Sequence, residues 1–401
     1  MSGDRHRTYR FATRMIHAGE TPDPATGARG VPIHQSATYA FDSYDQIRQW
    51  EDGEIPHFQY SREANPTVQK LEAKMANLEG AEAAVAVSSG MGAISSMLLE
   101  YASNGGHVIA SSQLYGSSGD LLDHDLPAFG AEVPRLDVRD LAAVEAAIRA
   151  NTRLIFAETF SNPMLLVADV PALSEIAHRH GARLAIDNTF LSPALYRPIE
   201  DGADLVLHSA TKYLYGSGQA IGGIISGSAE EIRKLRDRII RIGTNMAPFT
   251  AWLIINGCKT LSFRVERHSS NAQRIAEQLA AHPAVKTVMY PGLPSHPGHE
   301  TAMKLTGGPC SGLMSFELHG DPGSTRSFID ELELCTIAVS LGEATTLIWP
   351  YREGIIRLAV GLEDPDDLSA DIGAGLDAAA VTLNHASMSE QLERVHERRK
   401  F

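Results

Sequence analysis

The chain is poor in cysteine. Its three, Cys258, Cys310 and Cys335, are odd in number and widely spaced. They offer neither a disulfide framework nor a zinc spacing, and they suit a reducing cytosol. Long apolar runs are missing too; none approaches the roughly 18 residues a bilayer-spanning helix needs. No apolar stretch follows Met1-Ser2-Gly3-Asp4-Arg5-His6-Arg7, so no secretory signal is expected and the cytoplasm is the expected location. Basic residues are outnumbered, 35 against 49 acidic, for a net charge of −14. That balance disfavours nucleic acid and anionic membranes as partners. The 16 histidines contain no His-Glu-x-x-His. His178 and His180 fall on an expected surface helix, so no metal site is expected.

What the chain has is bulk and alternation. At 401 residues and 43% hydrophobic, it can bury a large core and is expected to form two domains. Short apolar runs at 83–87, 108–110, 154–157, 183–186 and 204–208 read as strands. Helical patterns between them, from about residue 66 to 226, predict a doubly wound domain. The stretch 227–257 reads as helical, with Ile232, Leu235 and Ile239 on one face. Residues 261–281 read as a long helix joining the domains. Residues 312–317 then read as a strand and 324–332 as a helix.

Two strand ends carry chemistry. One run stops at Asp187-Asn188-Thr189; the next leads into Ser209-Ala210-Thr211-Lys212-Tyr213. Open α/β sheets present ligand contacts at such ends. The hydroxyls of Ser209 and Thr211 can hold a phosphate while the Lys212 amine forms a Schiff base. Ser88-Ser89-Gly90-Met91-Gly92-Ala93 turns a strand into a helix, and small residues there open backbone N–H groups to an anion. Gly216, Gly218 and Gly222 approach a dinucleotide fingerprint, but the spacing is one residue too long and follows a lysine, which excludes it. Asn65-Pro66 marks a boundary, and Thr67 is placed to cap the helix beyond it.

The Asp187-Asn188-Thr189 and Ser209-to-Tyr213 motifs together resemble the pyridoxal-phosphate (PLP) signature of the Cys/Met-metabolism, or transsulfuration, enzymes. The likeness extends from about Val31 to Asp367, through Tyr60-Ser61-Arg62-Glu63-Ala64-Asn65-Pro66-Thr67, Glu158-Thr159-Phe160-Ser161-Asn162-Pro163, Ser340-Leu341-Gly342 and the run 357–363. It implies a PLP-dependent fold type I, with a large doubly wound, mostly parallel sheet domain and a smaller C-terminal α/β domain. It also implies an N-terminal arm over 1–65 contacting a neighbouring subunit, a PLP domain over 66–257 and a C-terminal domain over 258–401. Lys212 would carry the cofactor, Asp187 would pair with its pyridinium nitrogen, and Tyr115 would stack on the ring and act as acid or base. Gly90, Met91, Asn162, Ser209 and Thr211 belong to the expected cofactor site, as do Tyr60 and Arg62 from the adjacent subunit. Asn162, Ser340 and Arg357 would receive the amino-acid substrate, the last as a fork on its α-carboxylate. The expected assembly is a homotetramer of site-sharing dimers.

The expected activity is γ-elimination on methionine, homocysteine or cystathionine. The alternative is γ-replacement on an O-acylated homoserine by a thiol or carbon nucleophile. A non-catalytic PLP-binding role fits poorly with Lys212, Asp187, Tyr115 and Arg357 all in place.

Four departures bear on substrate and shape. Thr345 stands where the family often has Glu. Asp120 stands where cystathionine enzymes often carry Arg, and Ser117 where methionine γ-lyases often carry Cys. Between Leu347 and Arg357 there is no room for the family's Ala-Ser-Met-Thr-His loop, yet His385-Ala386-Ser387-Met388-Ser389 occurs in the tail. That tail, 380–401, reads as a charged helix that is either a solvated end or a substitute for the missing loop.

Overall fold

The computed structural model describes residues 8–320, 322–352 and 354–398, with side chains described through Leu383. It divides into two compact units, Met1–Phe160 with Ala168–Ser262, and Ser161–Val167 with Phe263–Phe401.

The first unit is built on seven strands: β1 (Ala83–Val87), β2 (His107–Ser111), β3 (Arg135–Leu136), β4 (Thr152–Glu158), β5 (Arg183–Asp187), β6 (Leu205–Ser209) and β7 (Gly223–Gly227). Their order is β1-β7-β6-β5-β4-β2-β3. Strands β2 to β6 pair in parallel, and β7 runs antiparallel to both its neighbours. The centre of the sheet is covered on both faces, which is why β2, β4, β5 and β6 are nearly unbroken apolar runs. Helices Gly90–Ala102 and Ala229–Ile242 close one face around Val87, Ile94, Leu98, Leu207 and Leu235. Helix Pro66–Glu79 packs against β1 and β7 and against helix Pro248–Cys258.

Two helix boundaries depart from the sequence reading. Asn65, not Thr67, caps Pro66–Glu79, accepting from the N–H groups of Thr67 and Val68. Thr67 instead donates to Pro32 O and accepts from His34 N–H, tying the preceding segment to the helix start. The helical stretch 227–257 is two helices, broken where Gly243 takes φ +85° and ended by Pro248 at the start of the next. Part of the expected arm packs on its own chain. Phe11–His17 is helical, Met15 is buried, and Arg14 Nε donates to Asn77 Oδ1 at 2.8 Å.

The second unit carries β8 (Val285–Met289), β9 (Leu313–Leu318), β10 (Thr336–Ile337), β11 (Leu347–Pro350) and β12 (Ile355–Ala359), in the order β10-β11-β12-β9-β8. All pairs but β10–β11 are antiparallel. The sequence left little room between Leu347 and Arg357 because β11 and β12 form a tight hairpin. It is closed by Tyr351 N–H on Ile355 O and Gly354 N–H on Tyr351 O. Helix Leu261–Ala281 has the expected bounds, and Pro365–Arg398 is one continuous helix that includes most of the tail. The placing of Ser387 relative to Ser340 and Arg357 concerns side chains outside the described residues.

Candidate active site

The site begins at the ends of two adjacent parallel strands. Asp187 closes β5 and registers with Leu207 of β6. Asp187 Oδ1 accepts both the N–H and the hydroxyl of Thr189, at 2.9 and 2.5 Å. The Thr189 hydroxyl oxygen also accepts the Ser209 N–H at 2.8 Å. One threonine therefore fixes the carboxylate and pins the end of β6 to it. Sequence reading quoted Thr189 without giving it a role. The signal was an Asp with a hydroxyl two residues on, a pair that bonds locally.

Asp187 Oδ2 accepts no hydrogen bond from the described residues. Burial pushes this carboxyl up from the ordinary carboxylate range, opposed by the two Thr189 bonds and by the charge of His208. A desolvated carboxylate with one open oxygen calls for a cation there. A pyridinium nitrogen meets that need.

The helix Gly90–Ala102 begins against the same place. Ser89 caps it through Gly92 N–H, while the N–H groups of Gly90 and Met91 bond nothing among the described residues. A Cβ on Gly90 would stand 2.9 Å from Ser209 Cβ and 3.1 Å from its hydroxyl oxygen, so only glycine lets the helix start approach β6 this closely. The Ser209 hydroxyl is also without a hydrogen bond among the described residues. Two open amides at a helix N-terminus and an uncommitted hydroxyl fit a phosphate. Thr211 Oγ1 already accepts Gly222 N–H at 3.1 Å; its contact with Gly222 O is long, 3.4 Å, which leaves its proton available to an anion.

Lys212 follows in a turn held by its own N–H on Ser209 O and by Gly216 N–H on Lys212 O, and it is half-buried. Tyr115 is 47% exposed at the end of the β2 loop, where its N–H donates to Glu158 Oε1 at 2.7 Å. Glu158, at the end of β4, registers with Asp187 and is a further positioning group that the sequence motif named without a function. Tyr60 and Arg62 lie together, with the guanidinium carbon 5.3 Å from the ring centroid. Arg62 Nη1 donates to Ile240 O at 2.7 Å, in the last turn of Ala229–Ile242, where a cation meets the negative end of the helix.

The second unit holds its own cluster. Arg357, on β12, is buried; its Nη1 donates to Asn162 Oδ1 at 3.0 Å and its Nη2 reaches Ser340 O at 3.4 Å. Ser340 presents that carbonyl from φ +147°, a conformation few L-residues adopt. The Asn162–Pro163 peptide is cis, and Ser315, the register partner of Arg357 on β9, donates to Pro163 O at 2.7 Å. The structure thus joins Asn162, Ser340 and Arg357 in one bonded group. It brings Gly90, Asp187 and Ser209 together in the other unit, with Met91 beside Gly90 and Thr211 and Lys212 following Ser209.

A family model described as Cys/Met metabolism PLP-dependent enzyme matches residues 12–351. The chain belongs to this family. The L-methionine gamma-lyase of Porphyromonas gingivalis is 42% identical to it, over 92% of this chain and 97% of that protein. The O-succinylhomoserine sulfhydrylase of Pseudomonas aeruginosa is 40% identical, over 92% and 95%. A solved O-acetylhomoserine (thiol)-lyase from Campylobacter jejuni, containing N'-pyridoxyl-lysine-5'-monophosphate, superposes with a TM-score of 0.86 at 32% identity, covering 92% of this chain and all of that one.

As a member of the Cys/Met-metabolism family, the chain is a PLP-dependent lyase or transferase of fold type I. Among the described residues no helix is long and apolar enough to cross a membrane, and no cluster of His, Cys, Asp and Glu could hold a metal.

Proposed function

We propose that this enzyme eliminates the γ-substituent of a sulfur amino acid such as methionine, homocysteine or cystathionine, releasing a thiol, a 2-oxo acid and ammonia. The carrying observation is the carboxylate of Asp187, held on one oxygen and open on the other, beside the Ser209-to-Lys212 turn. The 42% identity to a methionine gamma-lyase supports elimination.

Asp187 would pair with the pyridinium nitrogen. The Gly90 and Met91 amides and the Ser209 and Thr211 hydroxyls would hold the phosphate, joined by Tyr60 and Arg62 of the partner subunit. When bound, pyridoxal phosphate is an electron sink for the carbanion at the substrate's α-carbon. Arg357, steadied by Asn162 and the Ser340 carbonyl, binds the α-carboxylate and orients the Cα–H bond. Lys212 would tether the cofactor through its Nζ and, once released as the neutral amine, would take the substrate's Cα proton. After a second proton is lost from Cβ, the Cγ–S bond would break and the Tyr115 hydroxyl would deliver a proton to the departing sulfur. We also infer a cytosolic homotetramer of site-sharing dimers, in keeping with three buried cysteines that form no disulfide.

The 40% identity to an O-succinylhomoserine sulfhydrylase supports a second reading, γ-replacement by a thiol. The two diverge only after the leaving group has gone, so the residues above serve both. Release of 2-oxobutanoate from methionine, homocysteine and cystathionine is the test, set beside thiol-dependent consumption of O-acylhomoserine. No oxo acid from any amino acid, with rapid consumption in the second assay, replaces elimination by replacement.

A further inference from the structure

The β11–β12 hairpin places two aromatic side chains beside the guanidinium of Arg357, and the chemistry above uses neither. Arg357 and Trp349 are register partners across the antiparallel pair. Residues so opposed project to the same side of the sheet. Trp349 is 36% exposed there, and Ile355, two residues before Arg357, shares that side. Tyr351 lies at the start of the turn. Its ring centroid is 5.9 Å from the guanidinium carbon of Arg357, within reach of a cation–π contact.

The turn holds Tyr351 on both sides. Its N–H donates to Ile355 O at 2.7 Å, and its carbonyl accepts the Gly354 N–H at 3.1 Å, with Gly354 at φ +85°. Pro350 before it has its own φ fixed by the ring. The Tyr351 side chain is half-buried although it sits at a hairpin tip. Arg357 is only 7% exposed, and the oxygens of Asn162 and Ser340 that accept from it are uncharged. A buried guanidinium loses much hydration, and a π face offsets part of that loss without supplying an anion. An acidic neighbour would compete with an incoming carboxylate; an aromatic ring does not. Arg48 over Tyr44 shows the contrast. There the Arg side chain is 54% exposed and paired with Glu51 at 2.6 Å, so water and a carboxylate already answer the charge.

We propose that Tyr351 is a positioning residue for substrate recognition: its ring steadies the Arg357 fork and excludes water from it, so that the fork selects an α-carboxylate. This rests on the reading that Arg357 receives that carboxylate. Trp349 and Ile355 extend the apolar side around the same guanidinium. In such surroundings the attraction between fork and carboxylate is less screened than it is in water. Tyr351 acts through Arg357 and touches no reacting atom.

The test titrates the holoenzyme with L-alanine and with ethylamine, the same amine without the carboxylate, and reads the cofactor's visible absorbance. Alanine has no γ-substituent, so the result does not depend on the choice between elimination and replacement. Tyr351→Leu should weaken alanine about tenfold and leave ethylamine unchanged, while Tyr351→Phe keeps the wild-type preference. Replacing Tyr351 by mono-, di- and trifluorinated phenylalanine drains the ring face at nearly constant shape, and alanine affinity should fall step by step. With a substrate, the loss should appear in KM and spare kcat, the mark of uniform binding. Wild-type alanine affinity in the Leu and trifluorinated variants, or an equal loss for alanine and ethylamine, would overturn the proposal. If Tyr351→Leu does not fold, the fluorinated series decides. Arg357→Lys tests the underlying reading separately: an unchanged preference for alanine over ethylamine there removes the role of Arg357, whatever the Tyr351 variants do.

Discussion

Asp187 shows a functional group set against the stability of the fold. Its carboxyl is raised by burial, so the folded chain without cofactor binds a proton there more readily than the unfolded chain. Stability from this group is present below the ordinary carboxylate range and is lost as pH rises through the raised value. Above that raised value the cofactor-free chain carries a destabilising anion, which a pyridinium would relieve. Asp187→Asn should raise the melting temperature of the cofactor-free protein at pH 7 by about 2 °C and weaken cofactor binding at least tenfold. Calorimetry and cofactor titration on the same preparation check both arms. A variant that melts lower and binds normally would contradict this account of the site.

At the scale of elements, the helix start at Asn65 does more than cap. Its Oδ1 takes the Thr67 and Val68 amides, while its Nδ2 donates to His34 O, the Tyr39 hydroxyl and the Ser61 hydroxyl. The segment bearing Tyr60 and Arg62 is thus fastened to the first turn of Pro66–Glu79. Asn65→Ala should cost about 2 kcal/mol, the upper end for a lost cap, because part-buried acceptors lose their donor as well. Urea midpoints measure that cost. Cofactor affinity should fall too, as the Tyr60–Arg62 segment loosens. The β11–β12 hairpin is a second case: a deletion that reads as a defect in sequence is a closed turn that keeps Arg357 in register with Trp349 and Ser315.

For the whole molecule, the proposed sharing of sites between subunits predicts complementation. Arg62→Ala and Lys212→Ala should each be inactive alone. Dissociated and reassociated together, they should recover about a quarter of wild-type activity, since random pairing gives half the dimers one intact site of two. No recovery would place the Tyr60–Arg62 pair in its own chain's site. Acid stability should be limited by the second unit. His268, on helix Leu261–Ala281, holds Val360 O at 2.7 Å, and burial drives its imidazole from 6.5 to about 4. A depressed folded value gives stability that is present above pH 6.5 and lost as pH falls through the window down to about 4. The loss should be on the order of 3 kcal/mol. His268→Asn should flatten that slope in urea unfolding followed between pH 7 and 4.5.

The sequence by itself determined the architecture of the larger unit and most of the motif residues. Buried parallel strands must be apolar runs, and polar residues at their ends stand out against them, as Asp187 and Ser209 do. Local patterning also gave helix Leu261–Ala281 its bounds, but not the break at Gly243, because apolar spacing continues on both sides of it. Only the tertiary structure decided which partners meet across long stretches of chain. Thr189 reaches Ser209, Glu79 reaches His208, and Arg357 reaches Asn162 because strand order and helix packing bring them together. No periodicity encodes such contacts, since hydrogen bonding acts over a few ångströms in space whatever the separation in sequence.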